Sequence, residues 1–87
     1  MASRTYTVVK QQDIVYLQNI TLDAEVSQND TITVAEFDSS QELKSLLVVN
    51  KSSGAEITAT SSLNVITITG SCTNADVRIF VVGVKPQ

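Results

Sequence analysis

Short stretches in which every second residue is apolar constrain this chain more than any other feature. "TITV" at 31–34, "AEITAT" at 55–60 and "VITIT" at 65–69 each set Ile or Val against Thr or another small residue. A strand sends successive side chains to opposite faces, so this pattern makes one buried and one wetted face. Val, Ile and Thr together make up about a third of the chain, as a pleated, half-buried surface favours. Turn residues separate the stretches: "SQND" at 27–30, "KSSG" at 51–54 and "GSCTNA" at 70–75. Six to eight short strands with turns every 8–12 residues predict an all-β fold, a small antiparallel β-sandwich or barrel.

Within that frame the spacing predicts strands over 4–9, 14–26, 31–37, 45–50, 55–62, 65–70 and from 76 onward. The second carries a change of phase near Gln18 and Asn19, read as a bulge or a tight turn. Residues 38–51 are ambiguous. Ser39 and Glu42 fit a capping box, and Leu43, Leu46 and Leu47 have helical spacing. The β-branched end of "LLVVN" favours a turn near 39–43 followed by a strand. Residues 13–87 read as one β domain, preceded by an N-terminal strand or arm over 1–12.

A chain of 87 residues buries only about 60–65% of the surface that its unfolded form exposes. Cross-links cannot compensate: Cys72 is the one cysteine and histidine is absent. An internal disulfide and a thiol–imidazole zinc site are therefore excluded. The remaining route for a small scaffold is association with copies of itself or with a larger body.

Catalysis finds little to work with. Histidine chemistry is excluded, and nothing near Cys72 in the sequence lowers a thiol pKa. Asp23, Glu25, Asp30, Glu36, Asp38 and Glu42 are read as solvated strand and turn residues rather than as a glycosidase pair or calcium ligands. Three glycines in all make no phosphate-cradling loop. The expectation is a protein that is not an enzyme and takes no cofactor. The net charge of −3 and the scattered Arg4, Lys10, Lys44, Lys51, Arg78 and Lys85 argue against nucleic acid and anionic membranes as partners. Aromatic residues amount to 5%, few for a sugar-binding platform. The sequons at Asn19, Asn29 and Asn50 are chance occurrences in a chain rich in Asn, Ser and Thr. "MASRTYTVVKQQD" holds no hydrophobic signal region, so synthesis in the cytoplasm is expected.

Two strands are apolar on both faces. In the last, Val77, Ile79 and Val81 share one side, and Phe80, Val82 and Val84 share the other with Arg78. In "SLLVVN", Leu46 and Val48 oppose Leu47 and Val49. A sandwich buries one face of each sheet, which leaves a surplus apolar face for another chain to cover. Phe80, Val82, Val84, Leu46 and Val48 are the interface candidates. Tyr6 and Val8 join them if the N-terminal segment reaches a neighbour as an added strand.

The segments "LLVVNKSSGAEITATSSLNVITITG" and "TNADVRIFVVG" resemble the C-terminal parts of small bacteriophage virion proteins, over roughly residues 45–83. The resemblance implies a virion structural protein made in the host cytoplasm, foremost a capsid decoration (cement) protein. It further implies a homo-oligomer, a trimer above others, that binds the major capsid protein or another virion protein. A tail or neck component, and a binding module for a glycan or protein ligand, stand as alternatives.

Overall fold

The computed structural model describes residues 2–13 and 16–86. Ile14 and Val15, which begin the second strand expected from the sequence, lie outside the described residues. Seven strands form: β1 (Thr7–Asp13), β2 (Leu17–Val26), β3 (Thr31–Thr33), β4 (Ser45–Asn50), β5 (Ala59–Ser62), β6 (Val65–Ile68) and β7 (Ala75–Val84). They make two antiparallel sheets, one in the order β1-β2-β7-β4 and one in the order β3-β6-β5. The fold is the all-β sandwich that the alternation predicts.

The core lies between the sheets. Ile20, Leu22, Ala24 and Val26 of β2 and Val77, Ile79 and Val81 of β7 face Ile32 of β3 and Ile66 and Ile68 of β6. Fully burying one such side chain contributes about 1.5–3 kcal/mol, and this layer is what holds the two sheets together. The phase change expected near Gln18 has a different origin from a bulge. β2 pairs with β7 without a break from Leu17 to Val26. Gln18 occupies an inward position in that unbroken alternation, 2% exposed, and its Oε1 has no hydrogen-bond partner among the described residues. The irregularity falls instead on β1, between Val8 and Lys10.

Residues 31–37 do not continue as one strand. β3 stops at Thr33, and the chain turns so that the Phe37 N–H donates to the Val34 carbonyl at 3.1 Å. The turn drops the Phe37 ring into the core over Gly83, where a Cβ would stand 2.8 Å from the ring. Residues 38–44 form no helix. Asp38 accepts hydrogen bonds from the backbone N–H and the hydroxyl of Ser40, and β4 follows at Ser45.

The N-terminal segment is not a free arm. The Arg4 N–H donates to the Thr31 carbonyl and the Thr31 N–H to the Ala2 carbonyl, which attaches residues 2–4 to the edge of β3. Asp30, 4% exposed, accepts from the Arg4 guanidinium, from the Ser27 N–H at 2.8 Å and from the Ala2 N–H at 3.2 Å. The Arg4 guanidinium, followed by the Ser27 N–H, holds this carboxyl below the usual carboxylate range. The chain then crosses to the other sheet and pairs with β2 as an edge strand. Buried apolar contact and an ion pair thus fix on this chain a segment whose polar sequence reads as an outreaching arm.

Candidate functional site

The outer face of the four-stranded sheet can be written as cross-strand rows. Lys10, Thr21, Phe80 and Leu47 stand side by side on β1, β2, β7 and β4. On one side runs the row Gln12, Asn19, Val82 and Ser45, and beyond it the pair Leu17 and Val84. On the other side runs Thr7, Asp23, Arg78 and Val49. The rows alternate with those of the core because each strand has period two.

The face is divided along its length. At one end the Asp23 carboxylate accepts from Arg78 Nε and Nη2, each at 2.9 Å, and from Lys51 Nζ at 3.3 Å. Lys51 also lies 3.2 Å from Asp76. The Arg78 guanidinium, aided by Lys51, lowers the Asp23 carboxyl to about 2. At the other end Phe80, Leu47 and Val82 bring apolar side chains together, with Lys10 at the β1 edge of the row. Phe80 is 44% exposed and Leu47 is 40% exposed. With Asn19, Thr21, Ser45 and Val82 they line an open groove of about 320 Å³. Among the described residues no other segment lines it.

The sequence candidates divide accordingly. Phe80, Val82 and Val84 lie on the outer face, and Phe80 stands at the centre of the groove. Leu46 and Val48 do not belong to it. Val48 is 1% exposed in the core and Leu46 packs against that core. The register with β7 decides this, because Leu47 sits opposite Phe80 and Val48 opposite Ile79. Leu47 is thus the apolar residue that β4 gives the groove, and its signal was the second parity of "SLLVVN". Tyr6 and Val8 are also corrected: both pack against this chain's own core. The Tyr6 hydroxyl donates to Glu36 and accepts the Ala35 N–H.

All the acidic candidates but Glu25, which is exposed on β2, are engaged in structure. Beside Asp23, Asp30 and Asp38, Glu36 receives Tyr6 and Glu42 receives the Leu63 N–H at 2.9 Å. Among the described residues no three acidic or cysteine side chains converge as metal ligands do. The Cys72 thiol donates to the Val26 carbonyl at 3.7 Å, and burial, with the Asp30 charge beside it, pushes its pKa up. A thiol so placed is a poor nucleophile.

The ion pair carries a pH signature. The folded pKa of Asp23 lies below its ordinary value of 3.8. Its contribution to stability is therefore complete above pH 4 and lost as the pH falls toward 2. Partial exposure of Asp23 and Arg78 screens the pair, so the contribution is small. Urea midpoints of the protein and of Asp23→Asn should differ at pH 6, and the gap should shrink as the pH falls from 4 through 2. A constant gap over that range would dissociate the effect from titration of Asp23.

Comparison of the chain with known protein families, with curated proteins and with solved structures finds no match.

Proposed function

We propose that this protein is a non-enzymatic structural component of a virus particle, a capsid decoration protein. In this reading it associates with its own copies as a trimer and docks on the shell through the outer face of the four-stranded sheet. The observation that carries the reading is the open apolar groove around Phe80 and Leu47. A face of this kind on a small domain is a contact surface in waiting, since large apolar side chains grouped in water are stabilised by a partner. The likeness of residues 45–83 to phage virion proteins supplies the setting.

Phe80→Asp tests the contact. Its side chain already stands half in water, so the variant should keep the β-type circular dichroism spectrum of the wild type. Light scattering after gel filtration should show association lost, by at least tenfold in dissociation constant. Unfolding of the variant would instead place Phe80 in the core. Mass spectrometry of particles purified from the producing culture tests the setting. Peptides of this chain in amounts comparable to the shell protein support it. Their absence from particles, or a monomer that binds glycans, overturns it.

A further inference from the structure

The chain places residues in the left-handed region of backbone space at four described positions. Asn29 (φ 73°), Gly54 (φ 74°) and Asn74 (φ 47°) are of the types that tolerate it. Leu63 (φ 53°) is not. It stands at the tip of the β5–β6 hairpin, 40% exposed, with its N–H fixed by Glu42 at 2.9 Å. A leucine there is unfavourable twice over, through its backbone and through its exposed side chain. Folding gives no reason for it, because Asn or Gly would make the same turn better. Strain of this sort at an exposed tip points to use of the side chain.

We infer that Leu63 of one copy of this chain seats in the Phe80–Leu47 groove of another. This rests on the reading of that groove as a contact surface and names what fills it on the self-association side. The knob is apolar and its neighbours Ser62 and Asn64 are uncharged; the groove sets Phe80, Leu47 and Val82 beside the uncharged polar side chains of Asn19, Thr21 and Ser45. Two acidic chains meet with least repulsion through such surfaces. The flanking charges match as well. Glu42 sits at the knob, whereas Lys10 stands in the row of Thr21 and Phe80, and Lys44 precedes Ser45. Lys10 and Lys44 are the basic side chains without an ion pair among the described residues. Knob and groove belong to different sheets, so Leu63 does not fill its own groove. Because they are different patches, the contact is heterologous, and a heterologous contact closes into a ring where the rotation permits.

Leu63→Gly removes the knob and relieves the backbone. The variant should therefore fold, melt no lower than the wild type, and lose association as Phe80→Asp does. The two defects are complementary: one variant keeps the groove, the other the knob. Isotope-labelled Phe80→Asp titrated with unlabelled Leu63→Gly should show amide shifts at 42 and 62–64. Labelled Leu63→Gly titrated with unlabelled Phe80→Asp should show them at 19–21, 45–47 and 80–82. Neither variant should shift with more of itself. A Leu63→Gly protein that associates like the wild type overturns the inference and leaves the groove reading standing if Phe80→Asp dissociates. Absence of cross-variant shifts, or a wild type that is monomeric at millimolar concentration, also overturns it. Recovery of the chain in particles tests the wider reading independently.

Discussion

Gly83→Val should cost the domain about 3 kcal/mol and lower its melting midpoint by about 12–24 °C. A Cβ at this position would stand 2.8 Å from two carbons of the Phe37 ring and 2.9 Å from a third. The ring has nowhere to go. It is 2% exposed, and its backbone is held on both sides. The Phe37 N–H is bound to the Val34 carbonyl, and the next N–H, that of Asp38, donates to the Val84 carbonyl at 2.7 Å. Smaller rings of contact should relax the clash. Phe37→Leu alone should destabilise, yet combined with Gly83→Ala it should cost less than the two single changes added together, with a coupling of about 1 kcal/mol or more. Denaturation of the four proteins measures the cycle. Additive values would show that the two residues do not share the space the structure gives them.

Deletion of residues 2–12 should cost on the order of 4 kcal/mol, from the lost burial of Tyr6 and Val8 and the lost hydrogen bonds to Thr31 and Asp30. For a domain of this size the whole stability is roughly 4–13 kcal/mol, so the deletion removes from about a third to all of it. The loss has three sources. The buried Asp30 carboxylate keeps the Ser27 N–H but loses Arg4 and Ala2. Tyr6 and Val8 uncover the flank of the core. β2 then becomes an unprotected edge strand along its length. Urea denaturation monitored by circular dichroism measures the cost directly. A truncated chain with the wild-type midpoint would mean that the segment is an appendage, against every contact it makes here.

What could be read from the residues followed the range of the interactions. Turns made by Asn29, Gly54 and Asn74 were legible, because side chain and backbone preference coincide there. The turn between the strands at 55–62 and 65–70 was legible too, but that Leu63 takes a left-handed conformation there was not, because that conformation is imposed by the β5–β6 pairing and by Glu42, a residue from another loop. The two apolar faces of β7 were visible in "DVRIFVVGV". Which parity of β4 joins the outer one was not, since four successive apolar residues have no phase of their own. The pairing of Leu47 with Phe80 supplies it. Gln18 misled in the opposite sense, as a polar residue at an inward position looks like a break in the alternation. The N-terminal segment was legible as edge-strand material, but Asp30 and Glu36, which fasten it, are distant in sequence.

The sheet order β1-β2-β7-β4 also governs the timing of synthesis. Of the seven strands described, β2 is made second and its central partner β7 seventh. β4, made midway, pairs in that sheet with β7 alone. A growing chain can form the β1–β2 hairpin and the small β3-β6-β5 sheet, but the larger sheet stays in two pieces until residues 75–84 emerge. Such late, long-range closure places folding among the slow topologies, in milliseconds to seconds once residues 75–84 are free to pair. A premature stop before residue 75 therefore removes the keystone of the larger sheet, and the product would leave one edge of β2 and one edge of β4 without the strand they pair with.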